Sequence, residues 1–312
     1  MKKILVVGGA GYIGGALTDR LIDYKFRVYD NLLYDNIYRK PVDFVFGDIR
    51  ETSKLKKQLE WSDVVIWLAA IVGDPACNLN QDLTVEINER SVKWLCDNYD
   101  GKIIFLSTCS VYGVNDKLLH EESKLNPLSL YAWTKLNCEK YLEKKNAIIF
   151  RLGTVYGLGD IYSRLRMDLV VNILTAHAHE LKKVTVYGGE QYRPLIHVKD
   201  IALAIEKVID LNLTGVYNLH SLNTTVINIA DTVKKHFTNL NIEATGVKFQ
   251  DNRSYRVSSE KALKLFNFKP MYTLDDGISE IKELLESGRI KNVFESNYSN
   301  VEHLRSFGDK FC

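Results

Sequence analysis

Residues Gly8-Gly9-Ala10-Gly11-Tyr12-Ile13-Gly14 leave this chain few ways to fold. They follow the short apolar run KILVV (3–7) and precede a segment, 13–24, whose apolar residues recur at helical spacing. A strand that turns on glycine straight into a helix opens a doubly wound α/β sheet. Gly8 permits the tight turn, Gly11 lets backbone N–H groups approach a pyrophosphate, and Gly14 allows close helix–strand packing. Tyr12 and Ile13 begin the helix, whose N-terminus carries unpaired donors and partial positive charge. A glycine triplet alone can be a plain turn, so its surroundings decide.

Those surroundings are regular. FRVYD (26–30), DFVFG (43–47), DVVIWLAA (63–70), KIIFLS (102–107) and AIIFRL (147–152) read as strands covered on both faces. Segments 52–59, 85–98 and 130–145 carry apolar residues at helical spacing between them. The pattern predicts a Rossmann-type α/β fold over residues 1–155, a parallel sheet with its ligand site past the strand C-termini. After residue 155 the rhythm changes. Helical (166–179, 227–237, 278–287) and strand-like (184–189, 216–220) segments, with the mixed stretch 195–209, predict a smaller α/β substrate portion over 156–312, with some chain crossing back. The tail 288–312 shows no periodicity.

Asp30 ends the second strand, where a carboxylate accepts hydrogen bonds from an adenosine ribose and repels a 2′-phosphate. That favours NAD over NADP. Asp48, after the third strand, either meets the adenine amino group or serves its own turn. A net charge of +2 gives no sign of a nucleic-acid or anionic-membrane surface. The five cysteines show no metal spacing and read as reduced thiols of a cytoplasmic protein. No apolar run nears the roughly 18 residues of a membrane span, and ILVV is too short for a signal peptide. His197 reads as a packing residue, His177 and His179 as helix surface, and no metal site is expected.

The stretch STCSVYG (107–113) places protic side chains at a strand end. Downstream, Tyr131 and Lys135 stand four apart, on one face of a helix. A tyrosine half-ionised at pH 7 needs its pKa lowered by about 3 units, or ~4 kcal/mol. A desolvated Lys⁺ beside a nicotinamide cation supplies stabilisation of that kind. Tyr141 and Lys145 repeat the spacing without a strand-end partner and read as a solvated face.

Together with Leu68-Ala69-Ala70, Asn88 in EINERSV, RLGTVYG (151–157), YRPLIHVKD (192–200) and DNRSYRVSSEKA (251–262), these motifs resemble the extended short-chain dehydrogenase/reductases. More narrowly, the chain resembles the NAD-dependent sugar-nucleotide epimerase/dehydratase family over nearly its whole length. The resemblance implies that Thr108 bonds the substrate hydroxyl, Tyr131 takes its proton, and Lys135 lowers the Tyr131 pKa and holds the nicotinamide ribose. It places Gly8, Gly11, Tyr12, Ile13, Gly14, Asp30, Asn31, Asp48, Ile49, Leu68, Ala69, Ala70 and Leu152 at the cofactor. It places Thr154, where members usually carry Asn, with Asn172, Arg193 and Arg253 at the nucleotide-sugar substrate. It also implies a homodimer paired through segments 85–98 and 130–145.

Family members that eliminate water follow the Thr with Asp-Glu, whereas this chain has Cys109-Ser110. Neither is an acid or base for elimination at neutral pH. What remains is oxidation at C4, either stopping at the ketone or reversed on its other face. LAAIVGDPAC (68–77) and RMDLVVNIL (166–174) are most similar to capsule-biosynthesis members that oxidise C4 of GDP-linked manno-heptose. That similarity implies a GDP-linked substrate and a keto acid such as 2-oxoglutarate to reoxidise NADH; a 4-epimerase needs no such acceptor. A catalytically idle, NAD(H)-sensing member would ordinarily lack Tyr131 or Lys135, and both are present.

Overall fold

Ile4 and Val6 belong to the core on one face of a sheet, Leu5 and Val7 to the core on the other, and all four are fully buried. Ile104 and Leu106 divide from Ile103 and Phe105 in the same way. Side chains alternating between two apolar layers require helices on both faces. The computed structural model describes residues 1–34, 38–245 and 254–308. Arg253 and Cys312 fall outside them.

Seven parallel strands form the main sheet, in the order Gly215–Leu219, Ala147–Leu152, Lys102–Thr108, Val64–Trp67, Lys3–Val7, Lys25–Asp30, Phe44–Phe46. The order reverses at Lys3–Val7, which lies between Val64–Trp67 and Lys25–Asp30. Ligand crevices open at such switch points. The strand Gly215–Leu219 comes from the second half of the sequence and adds the sheet's edge beside Ala147–Leu152. The rest of that half builds smaller layers. Tyr192–His197 pairs with Thr154–Tyr156 and Leu222–Thr225, and Lys183–Tyr187 with Asn241–Thr245. A third apolar cluster joins helices Val170–Leu181, Val226–His236 and Leu274–Glu286 to these strands.

Some boundaries differ from the sequence pattern. The first helix is only Tyr12–Thr18, because the chain turns at Asp19–Arg20 and still delivers Leu21 to the core. The helix 81–98 contains a π-helical turn at Glu86–Arg90. Asn88 on that turn bonds both the Ile71 amide and the Ile71 carbonyl. The aperiodic tail forms a helix, Asn300–Ser306, capped by Ser299. Among the described residues no helix is long and apolar enough to cross a membrane.

Candidate functional site

The glycine turn is built by close approach. Gly8 has φ +81°, and a Cβ there would overlap the Ala69 amide. A Cβ on Gly14 would overlap the Gly9 carbonyl. Backbone therefore meets backbone where the first and fourth strands end. The turn is tied to the second strand by Asp30, whose carboxylate accepts from the Ala10 amide at 3.0 Å and from the Leu32 amide at 2.7 Å. Burial pushes the Asp30 carboxyl above its ordinary pKa, against the pull of those amides. Asp48 serves its own turn and also lines the cavity. It caps its own turn through Arg50, and its Oδ2 accepts from Asn31 at 2.9 Å. Burial raises its pKa, but the Arg50 guanidinium and the amide donors outweigh that and hold it below the usual carboxylate range.

One cavity of about 720 Å³ runs from this turn across the strand ends into the second half of the chain. Gly8, Gly11, Tyr12, Ile13, Gly14, Asp30, Asn31, Asp48, Ile49, Leu68, Ala69, Ala70 and Leu152 line it. Thr108, Tyr131, Lys135, Thr154 and Arg193 line the same space. A cradle of glycines that excludes Cβ atoms, beside the carboxylate that ends the second strand, fits a dinucleotide.

Thr108 ends its strand, and its Oγ1 accepts from the Ser110 amide at 3.1 Å. Tyr131 and Lys135 share the first turns of helix Leu130–Leu142. Ser129 caps that helix and donates to Asp74 at 2.7 Å. Lys135 Nζ donates to the Leu106 carbonyl at 2.9 Å, beside the Phe105 ring and 6.0 Å from the Tyr131 ring centre. Burial lowers its pKa to about 8. One turn further along, Glu139 is 4% exposed and accepts from Arg151 Nη2 at 2.6 Å and Ser107 Oγ at 2.5 Å. This buried pair joins the helix carrying Tyr131 and Lys135 to two strand ends. Glu139→Ala leaves Arg151 uncompensated and is expected to cost about 3–5 kcal/mol in urea denaturation. A loss under 1 kcal/mol would contradict that role.

Cys109, which follows Thr108, is fully buried, and its thiol donates to the Arg151 carbonyl at 3.2 Å. Burial pushes its pKa above the ordinary thiol value. Ser110 Oγ lies 3.4 Å from the Tyr255 hydroxyl. Among the described residues, the carboxylates that line the cavity are Asp30, Asp48, Asp74 and Asp168. All four are bonded to protein donors, and none follows Thr108.

Two expectations need correction. Asn172, expected at the substrate, is fully buried and does not line the cavity. Its amide serves backbone instead, bonding the Gly157 amide, the Gly157 carbonyl and the Arg166 carbonyl. His177, expected on a helix surface, lines the cavity near the Phe294 ring, and burial lowers its pKa. His197 is a packing residue, stacked on Tyr272 and bonded to Glu280. Cys77, Cys96, Cys109 and Cys138 are buried free thiols. Among the described residues no cluster of His, Cys, Asp and Glu is placed to hold a metal. Sequence reasoning missed Arg164, Tyr255 and Asn300 as cavity residues, since each arrives from a distant loop or the tail.

The sequence profile of the NAD dependent epimerase/dehydratase family matches residues 4–219. The UDP-glucose 4-epimerase of Lactobacillus helveticus is 28% identical, over 89% of this chain and 95% of its own. That of Rhizobium meliloti is 27% identical, over 88% and 94%. The structure of UDP-glucuronic acid 4-epimerase from Bacillus cereus, in complex with UDP-glucuronic acid and NAD, superposes with a TM-score of 0.78. It is 25% identical and covers 91% of this chain and 99% of that one.

Proposed function

The chain belongs to the NAD dependent epimerase/dehydratase family, and from that premise we propose that it oxidises the C4 hydroxyl of a nucleotide sugar and returns the hydride as a 4-epimerase. NAD, the cofactor, supplies a hydride acceptor and donor at its nicotinamide. The chain's own residues handle the proton. Tyr131 takes it from the C4 hydroxyl, Thr108 holds that hydroxyl in place, and the Lys135 cation favours the phenolate. Arg193, 8% exposed and lining the cavity, is assigned to the substrate diphosphate. The assembly is read as a homodimer paired through helices 81–98 and 130–142, which would cover the half-exposed Trp133.

The observation that carries this reading is the strand end itself. Thr108, Tyr131 and Lys135 share one cavity with the glycine turn, while the two positions after Thr108 hold a fully buried thiol and a serine. Neither abstracts or delivers a proton for elimination at neutral pH, which argues against dehydration of the C4 ketone. Relatives named as UDP-glucose 4-epimerases support return of the hydride.

A second reading is a 4-dehydrogenase on GDP-linked manno-heptose that discharges NADH to 2-oxoglutarate. Its support is the similarity in 68–77 and 166–174, segments that contribute Leu68–Pro75, Arg166 and Asp168–Val170 to the cavity wall. The test is incubation with UDP-glucose, UDP-galactose or a GDP-manno-heptose, with and without 2-oxoglutarate, read by mass spectrometry and NMR. Unchanged mass with inverted C4 is the expected result. Loss of two hydrogens that depends on the keto acid selects the second reading, and loss of water overturns both.

A further inference from the structure

A dinucleotide brings a doubly charged pyrophosphate, and the glycine turn answers it with amide dipoles alone. The wall beside it has more to offer. Segment 157–166 leaves the second half of the chain and lies against the first helix. Tyr12 Oη donates to the Gly157 carbonyl at 2.5 Å, and a Cβ on Gly159 would press on the Tyr12 carbonyl at 2.7 Å. Ser163 fills the space that a Cβ on Gly15 would need. The next residue, Arg164, is 4% exposed and lines the cavity. Its guanidinium carbon lies 3.8 Å from the centre of the Tyr34 ring, in the segment that follows Asp30. The Tyr34 hydroxyl is buried and has no hydrogen-bond partner among the described residues.

The other cations that line the cavity, among the described residues, stand on other elements. Lys135 sits at the strand end with Leu106. Arg166 is ion-paired with Asp168 at 2.9 Å. Arg193 lies on the strand Tyr192–His197, in register with Thr224 in the second half of the chain. Arg164 is the cation whose loop packs on the glycine-turn helix and whose side chain stacks on the segment that follows Asp30.

We propose that Arg164, held over the Tyr34 ring, is the counter-charge for the NAD pyrophosphate and closes the cofactor site from the segment packed beside the glycine turn. A stacked guanidinium keeps its planar fork oriented, which suits two adjacent phosphate oxygens better than an ammonium does. The cofactor is thereby gripped by both halves of the chain. The inference rests on NAD being the cofactor and not on which sugar is oxidised.

The test is Arg164→Met and Arg164→Lys in the full chain. NAD bound per protomer after desalting and the NAD Kd from tryptophan-fluorescence titration are both measured. Arg164→Met is expected to raise the NAD Kd by about 30- to 100-fold and to flatten its salt dependence. Arg164→Lys is expected to fall between, and it serves as the readout where the Met variant does not accumulate folded. At saturating NAD, the KM for the nucleotide sugar that turns over should stay within about 3-fold. An unchanged NAD Kd in Arg164→Met overturns the proposal. So does a raised sugar KM with unchanged NAD affinity, which would place the clamp on the substrate diphosphate instead.

Discussion

Tyr131→Phe is expected to lower kcat by at least about 10³-fold while leaving NAD bound, because only the phenolic oxygen can accept the C4 hydroxyl proton. The ring remains on helix Leu130–Leu142, so packing against the cavity wall is preserved. Lys135 still reaches the Leu106 carbonyl, so its position does not depend on the lost hydroxyl. Loss of turnover with retained NAD, measured by product formation and by cofactor released on denaturation, is the signature. Turnover within about tenfold of the unaltered protein would mean that another group takes the proton, and the reading of Thr108, Tyr131 and Lys135 would fall.

The second large effect is expected at Lys135. Replacement by Met removes the cation that favours the Tyr131 phenolate, so kcat should fall by about 10²- to 10³-fold and its acidic limb should move to higher pH. The same substitution has an opposite consequence for stability. Lys135 is 3% exposed, and burial lowers its pKa from 10.5 to about 8 in the fold. Between those values the unfolded chain holds a proton that the folded chain has released. Stability contributed by this site therefore rises with pH, by about 3 kcal/mol across the window. Cysteines and tyrosines whose pKa values are raised by burial titrate with the opposite sign there, so the measured quantity is a difference. Below about pH 8 Lys135→Met should be more stable than the unaltered protein, and the gap should close as pH approaches 10.5. A gap that stays constant across this range would show that Lys135 is not desolvated as described.

The strand runs and glycine turn could be read from the sequence because local pattern dictates them. Ile4 to Val7 are buried on both faces of the sheet, and Gly8 and Gly14 sit where a Cβ has no room. Tyr131 and Lys135 were legible because helical spacing alone puts them on one face. Arg164 was not, since nothing local to 157–166 shows that the segment folds onto the glycine-turn helix. The tail was equally silent. Asn300–Ser306 is held by tertiary contacts, with Asn300 donating to the Val72 carbonyl and Leu304 buried against Ile71 and Cys77. Asn172 shows the reverse error. A polar side chain in a family motif was assigned to a ligand, but in this fold it satisfies backbone groups at Gly157 and Arg166. Cys109 and Ser110 gained physical content. They lack carboxylates, and the thiol is also buried and committed to the Arg151 carbonyl.

Transfer of the C4 hydrogen is tested most directly by single-turnover measurement with the holoenzyme and its nucleotide sugar deuterated at C4. The expected result is a transient near-ultraviolet absorbance of reduced nicotinamide, slowed by deuterium at C4 but not at C5 or C6, with the label recovered at C4 of the inverted sugar. Label delivered to a keto acid would keep the C4 oxidation and select the dehydrogenase outcome. An isotope effect from C5 with none from C4 would contradict the assignment of Thr108, Tyr131 and Lys135 to C4 oxidation.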